Sequence, residues 1–165
     1  MEKNGKKVLA VTVENKPGVL ARVAMLFRRR NYNISSLTVG ETENPKLSRM
    51  TIVAEADDET LQQIMKQLAK LIEVIDVVNI SEAPAVEREL VFFKVSADSA
   101  KRVEIIQIAD IFRARIVDVA AESLIIEITG DDGKINAITN TLKPYGILEI
   151  VRTGKAAIVR GSQQG

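Results

Sequence analysis

The residues best placed to do chemistry lie together in one short stretch, Glu14-Asn15-Lys16-Pro17-Gly18-Val19-Leu20. A strand-like run ends there and a helix-like run begins, so the stretch predicts a turn that opens a helix. The first turn of a helix has backbone N–H groups without intrahelical acceptors and a partial positive charge. Together these hold an anion such as a carboxylate. Gly18 lets a ligand approach the backbone closely. Pro17 fixes the backbone at the helix entry and has no N–H to leave unsatisfied. Asn15 carries an amide donor and a carbonyl acceptor, which suits a zwitterion. Val19 and Leu20 would supply apolar walls. The plainer alternative is a well-made turn with no ligand, and these residues alone leave both readings open. Asn33, beside Tyr32 and Ile34, is a second candidate whose simpler role is to end a helix.

Other chemistries find less support. The 165 residues include no cysteine and no histidine. Disulfides, thiolate nucleophiles and the usual near-neutral general base are therefore absent, and serines have no histidine to activate them. The acid pairs Asp57-Asp58 and Asp131-Asp132 each open an expected helix, where carboxylates cap N–H groups. No DxDxDG calcium loop or GxxxxGK phosphate loop occurs. Catalysis by this chain is not expected, nor is a cofactor or metal of its own. The 23 basic residues nearly balance the 22 acidic ones, so no long-range field draws nucleic acid or an anionic membrane. Arg28-Arg29-Arg30 is the one basic cluster. It falls at an expected helix end, where it complements the dipole; phosphate binding is the alternative.

The elements that must position these residues follow from periodicity. Val8–Val13 is apolar throughout and reads as a strand buried on both faces. Val19, Leu20, Val23, Leu26 and Phe27 mark one stripe of a helix, and Asn31 and Asn33 bracket its end. Ile34–Val39 and Arg49–Ala54 read as strands of a hairpin around the polar loop Glu41–Lys46. Leu61, Ile64, Met65, Leu68 and Leu71 mark a second helix, and Val74–Ile80 a fourth strand. This order is the split βαβ of the ferredoxin-like fold, with two helices on one face of an antiparallel sheet. Something else must cover the other face.

Ser81–Glu87, with Ala83-Pro84-Ala85, reads as a linker. After it the pattern recurs about 80 residues on. Leu90–Val95 reads as a strand and Ser99–Phe112 as a helix. Arg115–Ala120 and Leu124–Thr129 follow as strands. A helix runs from Asp131 to near Pro144, and Ile147–Val151 and Ala156–Val159 are strand material. The tail Gly161–Gly165 is expected to fray. The first and third strands carry no aromatics for stacking bases, which argues against RNA. That points instead to a sheet face that packs on protein, such as a second copy of the chain. The polar N-terminus and the lack of any run near 20 apolar residues give the expectation of a soluble intracellular protein.

The stretch VENKPGVLARVAMLFRRRNYNISSLTVG, followed by LSRMTIV, resembles the ACT domain of the small, regulatory subunit of acetohydroxyacid (acetolactate) synthase. VERELVFFKV, IFRARIVDV and SLIIEITG resemble that family's C-terminal domain. The likeness runs from Lys7 to Gly161. It implies an α+β chain of two ferredoxin-like βαββαβ domains. Residues 1–82 would be an ACT, or amino-acid-binding, domain and residues 83–165 the C-terminal domain. It implies a cytoplasmic homodimer, with ACT sheets joined edge to edge, that serves branched-chain amino acid biosynthesis. Valine, or leucine or isoleucine, would bind between the paired ACT domains. Asn15, Gly18, Val19 and Leu20 match the family's ligand-contacting turn. Asn33 and Ile34 match positions contributed from the partner chain. The subunit would raise the activity of a large catalytic subunit and make it sensitive to feedback inhibition. Thiamine diphosphate, magnesium and FAD would belong to that large subunit. Pro17 stands where some members carry Ser, with no reason to abolish binding. A free-standing amino-acid-binding protein and a small enzyme are the competing readings.

Overall fold

The apolar run from Val8 becomes the inside of a sheet. In a computed structural model of the chain, which describes residues 5–161, the first elements are β1 (Gly5–Glu14), α1 (Val19–Arg29), β2 (Ile34–Glu41), β3 (Leu47–Ala56), α2 (Asp58–Ala69) and β4 (Val74–Asn79). The sheet order is β2-β3-β1-β4, antiparallel throughout. Strand β1 thus has neighbours on both sides, and Val8, Leu9, Ala10 and Val11 are all buried. Leu9, Val11 and Val13 face the helices and pack with Val23, Phe27, Leu61, Ile64 and Leu68.

Leu20 corrects the expected helix stripe. Val19, Val23 and Phe27 are buried, whereas Leu20 is 45% exposed. Successive residues turn by about 100°, so a helix whose inner line runs through 19, 23 and 27 points residue 20 toward its flank.

The second half repeats the order with β5 (Ala85–Ser96), α3 (Arg102–Ile111), β6 (Arg115–Val119), β7 (Ser123–Gly130), α4 (Asp132–Leu142) and β8 (Ile147–Arg152). Its strands lie β6-β7-β5-β8, the first sheet's order in the same chain sequence. Val91, Phe93 and Val95 of β5 pack with Ile105, Ile126 and Ile138 in a core of their own. The fold is therefore α+β with two ferredoxin-like βαββαβ units. The expected linker is largely absent: a single 3-10 turn at Ile80–Glu82 leads into β5 at Ala85. Pro84 stands just before the strand, where its missing N–H breaks no ladder bond.

A last strand, β9 (Ala156–Val159), pairs with β5. By compactness the chain forms a unit that ends at Val86 and resumes at Lys155, and a second unit, Glu87–Gly154. Within the first, the returning segment lies on the sheet face away from the helices. Ala157 is buried there with Val8, Ala10, Val53 and Ile80. Lys155 N–H donates to Ser36 Oγ at 3.1 Å, and Arg160 N–H to the Pro84 carbonyl at 2.8 Å. This part of the face, expected to meet another protein, is covered by the chain's own C-terminal strand. The expected fraying of the tail falls mostly on residues 162–165, outside the described ones.

Candidate functional site

Strand β1 ends at Glu14, and the chain must reverse into α1 within four residues. Gly18 makes this possible. It is the N-cap of α1 with φ +85° and ψ −9°, a left-handed conformation that costs other residues about 1–2 kcal/mol. A Cβ built there meets nothing within 4 Å. The glycine is therefore required by its dihedral and not by crowding, and the space above it is open.

Three helices take side-chain acceptors at or near their N-termini. Asp57 accepts from Thr60 N–H at 2.7 Å and Asp131 from Lys134 N–H at 2.9 Å, as the sequence led us to expect. Asp98 accepts from Ala100 and Lys101 N–H ahead of α3. The N-terminus of α1 has neither a capping side chain nor an acid in its first turn. Its first α-helical bond runs from Arg22 N–H to the Gly18 carbonyl at 3.0 Å. The N–H groups before Arg22 have no acceptor four residues back inside the helix.

Asn15 lies beside this opening, held by the β2–β3 loop. Its backbone N–H donates to the Lys46 carbonyl at 2.8 Å. Its side-chain amide donates to Glu41 Oε1 at 3.1 Å and to the Pro45 carbonyl at 3.0 Å. Both donors are engaged within the chain, so what Asn15 offers outward is its carbonyl oxygen. The loop residues Glu41, Pro45 and Lys46 were not singled out by sequence. Only the polar, Pro-containing character of the loop hinted at them.

The remaining candidates divide by direction. Val19 is 5% exposed and faces the core, and its backbone N–H donates to the Lys16 carbonyl at 3.4 Å. Leu20 is exposed beside it. Asn33 is exposed, and Ile34 opens β2 half-buried against the core. Asn31 carries the left-handed φ of +56° that ends α1, and the Tyr32 N–H donates to the Phe27 carbonyl at 2.9 Å. That leaves Asn33 without a capping duty.

Gly18 and Asn33 do not come together in one chain. They flank opposite ends of α1, whose 11 residues span about 16 Å. Among the described residues no three His, Cys, Asp or Glu side chains are grouped to hold a metal ion. No helix among them is long and apolar enough to cross a membrane.

Two successive βαββαβ units, the first with a left-handed glycine ahead of an uncapped helix, place the chain among tandem ferredoxin-like proteins. A profile for the AHAS small subunit-like ACT domain matches residues 9–76, and one for the small subunit of acetolactate synthase matches residues 88–161. An Archaeoglobus fulgidus protein named "Probable acetolactate synthase small subunit" is 58% identical over 159 residues, 96% of this chain and 99% of that one. The acetolactate synthase small subunit of Mycolicibacterium smegmatis is 52% identical, over 93% of this chain and 90% of its own. The crystal structure of the acetolactate synthase small subunit from Thermotoga maritima aligns with a TM-score of 0.87 at 47% identity, covering 96% of this chain and 99% of that one. The chain belongs to the acetolactate synthase small-subunit family. It is a non-catalytic chain.

Proposed function

We propose that the chain is the regulatory subunit of an acetolactate synthase in branched-chain amino acid biosynthesis. It activates a large catalytic subunit in the cytoplasm and confers feedback inhibition by valine, leucine or isoleucine. Thiamine diphosphate, magnesium and FAD are placed on the large subunit.

The observation that carries this reading is the pair of family matches over residues 9–76 and 88–161; the separation of Gly18 from Asn33 along α1 bears on where an effector sits. One ligand the size of valine cannot touch both in a single chain. Two copies joined at their ACT sheets would bring Gly18 of one near Asn33 of its twin. The effector carboxylate then docks on the backbone amides of Leu20 and Ala21 at the uncapped start of α1. The Asn15 carbonyl oxygen and the Asn33 side chain take its ammonium. Leu20 and Ile34 border the aliphatic group. The ligand favours whichever dimer geometry binds it better, and shifts that equilibrium only by the difference in affinity.

Titration calorimetry with valine, leucine and isoleucine tests the placement. Gly18→Asn keeps a residue that tolerates the left-handed backbone. Gly18→Asp adds only the charge. Asn should retain binding and Asp should abolish it; equal binding by the two would remove the carboxylate from this turn. Reconstitution with the large subunit, measuring activation and then inhibition, separates a regulatory subunit from a free-standing binder.

A further inference from the structure

The basic cluster seen in the sequence has partners that the sequence did not show. Arg29 and Arg30, at the end of α1, share a groove with Lys70, just past the end of α2, and with Arg22 about two turns back along α1. An adjoining hollow sharing Arg30 and Lys70 adds Lys66. Their volumes are about 350 and 500 Å³. Five cations thus border one continuous groove on the helix face of the first unit, and no carboxylate lines either hollow.

Arg22 alone of the five has an acidic partner among the described residues, Glu73 at 2.6 Å. The dipole favours Arg29, Arg30, Lys66 and Lys70, which stand in the last turns or at the C-caps of their helices, and Glu73 accounts for Arg22. Neither accounts for cations of two helices facing one another. Like charges brought together without counter-charges repel. The chain's net charge is only +1, so the groove is a local segregation of charge and not a sample of a basic surface.

The floor is apolar. Met25 is 48% exposed, and Leu26 and Leu71 are half-buried beneath the cations. From Arg22 to Arg30 the groove runs about 12 Å along α1. Cations spaced along an open, apolar-floored trough, with no glycine-rich loop to cradle a phosphate, suit an extended acidic element more than a compact anion. An apolar strip with a charged rim is how protein interfaces are built.

We propose that this α1–α2 groove docks an acidic surface element of the large catalytic subunit, with apolar side chains that seat on Met25 and Leu71. The inference rests on the reading of the chain as a synthase regulatory subunit. Sheets joined through their edges leave the helix face open for it.

The test reconstitutes the full chain with the large subunit and measures Kd by sedimentation at low and moderate salt. Arg29→Glu/Lys70→Glu should raise Kd at least tenfold at low salt and flatten its salt dependence. Arg28→Glu, on the same turn but outside the groove, should match wild type. Valine binding by each variant reports that the first unit is still folded. If the double variant binds the large subunit as tightly as wild type, the docking surface is elsewhere, although the regulatory reading stands. If wild type itself fails to bind, that reading falls and this one with it. Titration with tripolyphosphate covers the other occupant. Saturable binding lost in the double variant, with subunit association unchanged, would overturn the proposal in favour of a small-anion site.

Discussion

Arg49 donates from Nη2 to the carbonyl oxygen of Ala157 at 2.9 Å, which ties β3 to the C-terminal strand across 108 residues of chain. Ala157 itself is 6% exposed against Val8, Ala10 and Val53. Part of the far face of the first sheet is thus covered by residues that follow the second unit in the chain. Arg49→Met should lower stability by about 1–2 kcal/mol, the loss of one charge-assisted bond. Ala157→Asp should cost more, about 3 kcal/mol, because it buries a charge without a partner. Urea unfolding measures both. A neutral Ala157→Asp would mean that β9 does not hold this face in solution.

That strand marks where the sequence stopped being legible. Ala156–Val159 could be recognised as extended from its β-branched character. Four residues carry no signal of which sheet they join. The repeat was legible because each half sets its own periods: alternation in β5 at Val91, Phe93 and Val95, and spacings of three and four in α4 at Ile135, Ile138 and Leu142. The turn at Gly18 was legible because few residues accept its dihedral. Its neighbour Asn15 was only half read. Which of its groups stay free depends on Glu41 and Pro45, brought over by a hairpin that local patterns do not place. The groove cations were likewise invisible as a group, since Arg22 and Lys70 meet only through helix packing.

If each effector site takes Gly18 from one chain and Asn33 from its twin, two defective chains can repair each other. Gly18→Asp and Asn33→Ala homodimers should each lose valine binding. In a mixed dimer one site carries both lesions and the other carries neither. Random reassortment of equal amounts should restore about a quarter of the wild-type sites, half the dimers being mixed and each having one intact site. Calorimetric stoichiometry of the refolded mixture reads this directly. No recovery, with mixed dimers present by mass spectrometry, would place both residues in the same half-site or in none.

Asp57 gives a pH signature. Hydrogen bonds from Thr60, from its side chain and then its backbone, hold the Asp57 carboxyl below its ordinary 3.8; burial opposes this and the Lys7 charge adds to it. A carboxyl with a lowered folded pKa stabilises the fold above its unfolded value. That stabilisation is lost as pH falls through the lowered one. Asp57→Asn caps the helix without titrating. The melting-temperature gap between wild type and Asp57→Asn should be constant near neutrality and shift against wild type below about pH 4. A gap unchanged down to about pH 2.5 would show that the ionised cap contributes nothing.

Phe93 and Phe27 test whether the two repeats are held separately. Phe93 is fully buried in the second core and Phe27 is 1% exposed in the first, and the two core clusters share no residue. Truncating a buried phenylalanine removes its contacts and leaves a cavity, at a cost of about 3–5 kcal/mol. Phe93→Ala should therefore speed amide exchange in β5 and β7 while β1 and β3 keep their protection. Phe27→Ala should do the reverse. Such a split would mean that each half can loosen without melting the other. Equal loss of protection in all four strands under either substitution would show instead that the chain unfolds as a single cooperative body.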